Sequence, residues 1–233
     1  MKFAGFDTDK RVFIIAEAGV NHGGDYAVAT RLVDVAKDAG ADAVKFQAFH
    51  ADRFPEPQRT ICTPLEFNEW QILRTYEYAK ECGILWLCTP FDEDWARQID
   101  PIVPVFKIGS GQAMDVDFFS YVLGFGKPII ISSGKIDPWW GVGDIWLHCV
   151  SEYPTPPARA NLKRMREHHM HGYSDHTGTI EIPVAAVALG ARIIECHITM
   201  DRNAEGPDHT SSLEPAQFKE MVRMIRNVEK AIC

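Results

Sequence analysis

The sequence predicts an α/β protein, a (β/α)8 TIM barrel, and three observations support this fold class. Eight short apolar runs recur along the 233 residues, each run ends in a polar or charged residue, and stretches with helical character separate most of them. Apolar runs of this length between turn residues are typical of buried strands. Strands that alternate with helices form a parallel sheet, and eight such units close into a barrel. Because barrel enzymes carry their chemistry at the carboxyl ends of the strands, the polar run ends are candidate site residues.

Caps and stop residues give the boundaries of the predicted elements. Asp25 can cap the first helix, and Gly40, Gly83 and Gly190 can end helices. The predicted strands span residues 12–17, 42–47, 84–88, 104–108, 127–132, 145–149, 171–175 and 192–197. The predicted helices span residues 25–39, 64–82 and 93–99, a short stretch from Asp115, and residues 158–168, 179–189 and 215–232.

The connection after the fifth predicted strand is too short for a full helix. Only KIDPWWGVGD lies between Gly134 and Ile145, and its two glycines and one proline disfavour a helix. We therefore predict a compact barrel whose crossover helix after strand five is missing or reduced to a turn. Trp139 and Trp140 in this segment are interpreted as packing residues, with a lid over the site as the alternative. The chain shows no repeat or linker, so residues 1–233 are interpreted as one domain.

Composition and charge exclude several classes of protein. The net charge of -8 argues against nucleic acid as a partner, since phosphate backbones select basic surfaces. No run of about 18 apolar residues is present, and residues 1–10 lack the apolar core of a secretion signal. We therefore expect no membrane span and a cytoplasmic location. The six cysteines form no CxxC pair and are interpreted as small buried apolar residues.

Three pairs of polar residues lie two positions apart at strand ends. They are Lys45 with Gln47, Ser174 with His176, and Glu195 with His197. Side chains of a strand alternate between its faces, so both members of each pair can point into the mouth of the barrel.

Four charged residues lie in or directly after apolar strands: Glu17, Lys45, Lys107 and Glu195. A charge in such a place is costly unless it is paired or meets a ligand. The four could form a buried network of two acids and two bases with a purely structural role. Their common position at strand ends favours a ligand site, since structural charges have no reason to cluster there.

Hydroxyl groups near the lysines indicate an anion site. Ammonium groups neutralise a phosphate or carboxylate, and hydroxyls of Thr89, Ser110, Ser132 and Ser174 can fill its remaining acceptor positions. His176 and His197 end neighbouring predicted strands, where two neutral imidazoles could hold a divalent metal. His22 either lines the mouth or hydrogen-bonds its own turn. The histidines at 168, 169 and 171 are interpreted as surface or helix-end residues.

The ordered motifs of the chain resemble the sialic acid synthase (N-acetylneuraminate synthase) family. The matching segments cover nearly all of the chain: IIAEAGVNHGGD, DAVKFQ, TPFD, KIGSG, KPIIISSG, LHCVSEYPTP, GYSDHTG, ALGARIIECHITMDR and GPDHTSSLEP. Each segment is a weak signal, and the ordered set is very specific. The resemblance implies a (β/α)8 barrel that condenses phosphoenolpyruvate with an open-chain N-acetylated amino sugar such as N-acetylmannosamine, giving a nine-carbon 2-keto acid and phosphate.

The resemblance also implies roles for residues of this sequence. Phosphoenolpyruvate would be held by Lys45, Thr89, Lys107, Ser110, Ser132 and Ser174. A divalent metal, with Mn²⁺ as the first choice and Mg²⁺ or Co²⁺ as alternatives, would be held by His176 and His197. The acceptor sugar and the attacking water would be contacted or activated by Glu17, Gln47, Tyr153, Glu195 and Asp208. Ser151, where some relatives carry asparagine, is a further substrate-binding candidate.

The chain differs from typical members in its length. Those members continue into a small antifreeze-like domain that supplies an arginine to the sugar site of a dimer partner, and we expect that domain to be absent here. Sugar identity and the homodimer therefore stay open. The alternatives to N-acetylmannosamine are the same chemistry on a 2,4-diacetamido-trideoxy hexose, as in legionaminic or pseudaminic acid synthesis, and a non-catalytic barrel that binds a phosphorylated ligand.

Overall fold

Eight parallel strands form one curved sheet in the order β5-β4-β3-β10-β9-β8-β7-β6. The edge strands β5 and β6 pack against each other, so the sheet curls into a nearly closed barrel. The structure is a computed structural model that describes residues 1–138 and 145–232. The strands are β1 (Lys2–Phe3), β2 (Phe6–Asp7), β3 (Phe13–Gly19), β4 (Ala43–Ala48), β5 (Leu85–Pro90), β6 (Phe106–Ile108), β7 (Ile129–Ser133), β8 (Ile145–His148), β9 (Gly172–Asp175) and β10 (Ile193–His197).

Helices cover the outside of the barrel. They are α1 (Tyr26–Ala39), α2 (Gln58–Cys62), α3 (Glu69–Cys82), α4 (Glu93–Ile99), α5 (Val116–Leu123), α6 (Leu162–Glu167), α7 (Glu181–Ala188) and α8 (Pro215–Ile232). Side-chain caps set the starts of α1 and α3: Asp25 accepts from Ala27, and Asn68 forms a capping box with Gln71. Gly40 takes the left-handed conformation that ends α1.

The inside of the barrel is apolar at the bottom and polar at the top because the polar residues of the inner face lie toward the carboxyl ends of the strands. In β3, Phe13 and Ile15 point inward and Glu17 is the next residue on that face. The bottom layer is one buried cluster of Phe3, Phe13, Ile15, Ala43, Leu87, Val105, Ile130, Ile145, Leu147 and Ile193. The hairpin β1–β2 closes this end, since Phe3 and Phe6 pack edge-on against Phe13. The alternate residues of the strands face the helices in a second, larger core.

Gly172 marks a place where two strands come too close for a side chain. A Cβ at this position would lie closer to the Ile193 carbonyl oxygen in β10 than two non-bonded atoms can approach. Gly172→Ala must therefore separate β9 from β10, and we expect a loss of about 3 kcal/mol. For a chain of this size that lowers Tm by roughly 6–12 °C.

Gly111→Ala is the matched control, because a Cβ there meets no heavy atom within 4 Å and its φ is -69°. Thermal unfolding followed by circular dichroism should leave Gly111→Ala near the wild-type Tm. Equal Tm values for the two variants would contradict this packing.

The barrel and its eight strands are confirmed, each within two residues of its predicted start. Two elements were missed: the hairpin β1–β2, whose strands are two residues long, and the five-residue helix α2. The helix predicted from residue 64 begins at Glu69, because Asn68 caps it. Residues 134–138 contain no helix, in line with the shortened crossover. The rest of that connection, including Trp139 and Trp140, lies outside the described residues.

Two further findings concern the composition. Within the described ranges, no helix is both long and apolar enough to cross a membrane. Among the same residues the cysteines are free thiols, and Cys88, Cys149 and Cys196 are buried.

Candidate active site

All fourteen candidate residues line one cavity of about 470 Å³ at the carboxyl ends of the strands. They reach it from every strand of the barrel or from the loop that follows the strand. The structure brings together Glu17, Lys45, Gln47, Thr89, Lys107, Ser110, Ser132, Ser151, Tyr153, Ser174, His176, Glu195, His197 and Asp208. The alternation of side chains thus places both members of each predicted pair on the inner face.

Lys45 lies at the centre of one half of the cavity floor. Its Nζ is 2.7 Å from Glu17 Oε2, 3.1 Å from Thr89 Oγ1 and 3.8 Å from Glu195 Oε2. Gln47 donates to the other Glu17 oxygen at 2.9 Å. Four adjacent strands, β10, β3, β4 and β5, supply these groups, since β10 pairs with β3, β3 with β4 and β4 with β5.

Lys107 lies at the centre of the other half. Its Nζ donates to Ser132 Oγ at 2.8 Å and to the Ile108 carbonyl at 3.2 Å, and it is 3.7 Å from Glu195 Oε1. Ser174 donates to the same Glu195 oxygen at 2.9 Å. Glu195 therefore lies between the two lysines, with one carboxylate oxygen turned toward each.

The two lysines differ in their electrostatic state although both are buried. Burial lowers the pKa of Lys107, and Glu195 only partly offsets that effect. Burial also opposes charge on Lys45, but the adjacent Glu17 and Glu195 outweigh it and raise the pKa of Lys45. Burial raises and the two ammonium groups lower the pKa of Glu195, which comes to about 2. The four charges do form the mutual network that a structural role would need, and the network is also the floor of a cavity.

Serine hydroxyls and a glycine form the wall beside Lys107, which we call the serine wall (Ser110, Ser132, Ser151 and Gly134). Ser110 Oγ accepts from the Gly134 amide at 3.0 Å and donates to the Ser132 carbonyl at 3.2 Å. A Cβ at Gly134 would collide with Ser151 Oγ, so only glycine lets the loop after β7 approach this closely. Hydroxyls and backbone amides near an ammonium group are suited to an anion.

His176 presents one ring nitrogen to the cavity. Its Nδ1 lies 2.6 Å from the Val150 carbonyl, which fixes the proton on Nδ1 and leaves Nε2 as an acceptor. Burial, together with His197, lowers the pKa of His176 to about 3, so the ring is neutral at pH 7. The Tyr153 hydroxyl lies 2.9 Å from Nε2, and the two rings stack at 4.1 Å. The residue Tyr153 is 45% exposed, yet its hydroxyl contacts the buried His176.

His197 is the second imidazole, and its ring centroid lies 5.4 Å from that of His176. Its Nδ1 is buried without a hydrogen-bond partner and lies 3.6 Å from Asp208 Oδ2. In the described ranges no three His, Cys, Asp or Glu side chains converge as a metal site. Two imidazoles, one with an unpartnered nitrogen beside a carboxylate, still fit a divalent cation whose other ligands are water and substrate. A backbone acceptor for His176 Nδ1–H is the orienting contact that metal-binding histidines use.

Phenylalanine rings form another part of the cavity lining, which we call the phenylalanine wall and which the sequence analysis missed. Phe49, Phe54 and Phe91 line the cavity, and their ring centroids lie 5.5–5.8 Å apart in each pairing. Phe49 continues the inward alternation of Lys45 and Gln47, which is a signal that could have found it. Phe54 lies in the proline-containing loop, where no periodic pattern points to it.

Lys135 is a second residue that the sequence analysis missed. It lines the cavity and comes two residues after Ser133, the last residue of β7. The rule that singled out polar residues at strand ends would have found it if the loop had been included.

The remaining polar residues of the predicted runs have structural contacts. His148 turns away from the cavity: its Nε2 pairs with the Ala160 carbonyl at 2.9 Å. His171 accepts from the Trp146 amide, so it is not a simple surface residue as predicted. His22 stacks on Phe67 at 3.6 Å and accepts from Gly24, which supports the second of its two interpretations.

Fold and site together define a class of protein. It is a (β/α)8 barrel enzyme whose cavity at the strand ends holds lysines and carboxylates on its floor, with two imidazoles beside them. The chain belongs to the NeuB family, whose model matches residues 32–138 and 144–233.

Known relatives agree with this assignment. The N,N'-diacetyllegionaminic acid synthase of Campylobacter jejuni is 36% identical over 96% of this chain and 78% of its own length. The human N-acetylneuraminate-9-phosphate synthase is 36% identical over 94% of this chain and 71% of its own length. A crystal structure of the N-acetylneuraminic acid synthetase of Leptospira borgpetersenii in complex with citrate gives a TM-score of 0.88 at 36% identity, covering 95% of this chain and 85% of that one. The family is thus one of sialic acid-type synthases.

Proposed function

We propose that this protein condenses phosphoenolpyruvate with an N-acetylated amino sugar in a metal-dependent reaction that yields a nonulosonic acid and phosphate. The observation that carries the proposal is the single cavity in which two buried lysines, two carboxylates and two imidazoles meet. A purely structural network would need the charges but not the imidazoles or the open space above them.

The anionic substrate is assigned to the floor and the serine wall. Phosphoenolpyruvate carries a phosphoryl group and a carboxylate, and two ammonium groups can neutralise parts of both. The residues assigned to it are Lys45, Thr89, Lys107, Ser110, Ser132 and Ser174. Because each lysine already faces a carboxylate, the substrate competes with Glu17 and Glu195 for the ammonium groups, and the site keeps its charge balance when empty.

The carbon–carbon bond forms between C3 of the enol ester and the aldehyde carbon of the sugar, which leaves cationic character at C2. Water adds at C2, and a carboxylate takes one of its protons and passes it to the oxygen of the former aldehyde. Phosphate then leaves with the bridging oxygen and takes the proton of the C2 hydroxyl, which gives the 2-keto acid. Two ammonium groups disfavour protonation of Glu195, whereas Glu17 faces only Lys45 among the described salt bridges, so we assign the proton transfer to Glu17. A cation held by His176 and His197 would, when bound, polarise the aldehyde as a Lewis acid.

The acceptor sugar is assigned to Gln47, Tyr153 and Asp208, with Ser151 of the serine wall as a further contact. The phenylalanine wall offers an apolar surface for methyl groups. Both N-acetylmannosamine and a 2,4-diacetamido-trideoxy hexose carry such groups, and the second carries more. The likeness to a legionaminic acid synthase and this wall together favour testing the trideoxy acceptor first.

Phosphate release tests the function directly. The purified protein, phosphoenolpyruvate and Mn²⁺ are incubated with each acceptor, and phosphate and product mass are measured. We expect one phosphate for each keto acid formed and no release without acceptor. Ligand-induced thermal stabilisation without turnover on any acceptor would instead indicate the non-catalytic binding protein.

As pH rises, phosphoenolpyruvate binding should begin to weaken at a lower pH than it would if Lys107 had the pKa of an ordinary lysine. Burial lowers the pKa of Lys107, the ammonium form exists only below that pKa, and the anion needs the ammonium form. The dissociation constant should therefore rise as pH rises through the lowered pKa. Glu195→Gln removes a carboxylate that raises this pKa, so the rise should begin at a still lower pH.

Calorimetric titration of phosphoenolpyruvate at a series of pH values measures both curves. If phosphoenolpyruvate binding to wild type and to Glu195→Gln weakens over the same pH range, then Lys107 is not the titrating group.

A further inference from the structure

Lys135 is a cavity-lining lysine that none of the roles above uses. It lies beside the serine wall, immediately after Gly134, and its side chain is exposed to the cavity mouth. Lys45 and Lys107 each face a carboxylate within 4 Å, whereas no ion pair involves Lys135 in the part of the chain that the structure describes. Its charge is therefore available to a ligand.

The turn that carries Lys135 is held on both sides by Arg164 of α6. One guanidinium nitrogen donates to the Ser133 carbonyl at 2.7 Å, and the other contacts the Ile136 carbonyl at 3.1 Å and Asp137 Oδ1 at 2.8 Å. Ser133 Oγ also donates to the Ile136 carbonyl at 2.6 Å. The backbone on either side of Lys135 is thus fixed, although residues 134–138 form no helix or strand.

The same turn holds Gly134 against the serines of the serine wall. The Gly134 amide donates to Ser110 Oγ, and Ser151 Oγ lies so close that no side chain fits between them. Lys135 therefore directly follows the residue, Gly134, that lies against the hydroxyls of Ser110 and Ser151. Lys107 reaches the same wall from below through Ser132.

We propose that Lys135 binds a phosphoryl group at the mouth of the cavity, beside the serine wall that Lys107 contacts through Ser132. A phosphoryl group carries close to two negative charges at neutral pH and has several acceptor oxygens, so a flexible ammonium group at the rim adds to what Lys107 and the hydroxyls supply. The inference rests on the proposed function for the identity of the ligand. Because the serine wall is already assigned to phosphoenolpyruvate, we assign the phosphoryl group to that substrate. The phosphate of a phosphorylated acceptor sugar is the other source.

Lys135→Met tests this role, and Lys219→Met on the outer face of α8 is the matched control, because both side chains are exposed lysines. For Lys135→Met we expect the KM for phosphoenolpyruvate to rise about tenfold, as loss of one partly exposed charge-assisted contact implies. The kcat and the KM for an unphosphorylated acceptor should change less than about twofold. Lys135→Arg should recover most of the affinity, and Lys219→Met should match wild type.

A second arm separates the two phosphoryl sources. If the KM for phosphoenolpyruvate is unchanged while that for a 6-phosphorylated N-acetylhexosamine rises, the phosphoryl role holds and the assignment to phosphoenolpyruvate is wrong. If neither KM changes, the proposal is overturned.

Calorimetry with phosphoenolpyruvate and with inorganic phosphate keeps this inference separate from the proposed function. Weaker binding of both anions to Lys135→Met supports the phosphoryl site even if no acceptor turns over. Equal binding to wild type and Lys135→Met, beside normal turnover, overturns the inference and leaves the synthase function intact.

Discussion

His197→Ala is expected to lower the metal-dependent turnover by roughly a hundredfold or more while leaving the barrel folded. Loss of one of two imidazoles removes a metal ligand, and Lewis-acid assistance contributes several kcal/mol to a reaction of this kind. The fold should survive because the His197 ring has no hydrogen bond from Nδ1 and packs against His176 and Tyr153 at the cavity wall. Steady-state phosphate release at a series of Mn²⁺ concentrations measures the loss.

The metal assignment has a readout that does not depend on activity. Paramagnetic resonance of free Mn²⁺ should show weaker binding to His197→Ala than to wild type. His168→Ala, a histidine at the end of α6 outside the cavity, serves as the control and should bind Mn²⁺ as wild type does. A His197→Ala protein with unchanged rate and Mn²⁺ affinity would show that the cation, if one is needed, is held elsewhere.

Lys107→Met is expected to raise the KM for phosphoenolpyruvate by roughly a hundredfold. The ammonium group is almost fully buried and hydrogen-bonded to Ser132, and removing one partner of a buried charged contact costs about 2–5 kcal/mol. Methionine keeps the length and volume of the side chain. In this variant Glu195 still has two partners, Lys45 at 3.8 Å and the Ser174 hydroxyl, so we expect the variant to fold.

The comparison with Lys163→Met, an exposed lysine of α6, separates a lost contact from a general change in surface charge. Initial rates over a range of phosphoenolpyruvate concentrations give both KM values. An unchanged KM for Lys107→Met, in a sample with wild-type circular dichroism, would refute the anion-binding role of Lys107.

The positions of the site residues could be predicted because two simple periodicities determine them. Side chains two apart share a strand face, and the carboxyl ends of parallel strands meet at one rim, so Lys45, Gln47, Glu195 and His197 had to converge. The same alternation turns His148 outward, because Leu147 before it points into the barrel. Its pairing with the Ala160 carbonyl depends on the path of a later loop.

Other features depend on distances that no sequence pattern encodes. The pKa values of Lys45 and Lys107 shift in opposite directions because Glu17 lies 2.7 Å from the first lysine, whereas the closest carboxylate to the second is 3.7 Å away. The phenylalanine wall joins Phe49, Phe54 and Phe91 from two different loops, and only the folded chain brings these loops together. The hairpin β1–β2 was missed because strands of two residues carry no periodic signal.

A crystal structure of the protein with phosphoenolpyruvate and Mn²⁺, recorded with anomalous diffraction from manganese, is the most direct test of a shared substrate and cation cavity. We predict one manganese peak within coordination distance of His176 and His197, and a phosphoenolpyruvate whose anionic groups contact Lys45, Lys107 and the serine wall. A manganese peak away from both imidazoles, or a phosphoenolpyruvate bound outside this cavity, would contradict the proposed site.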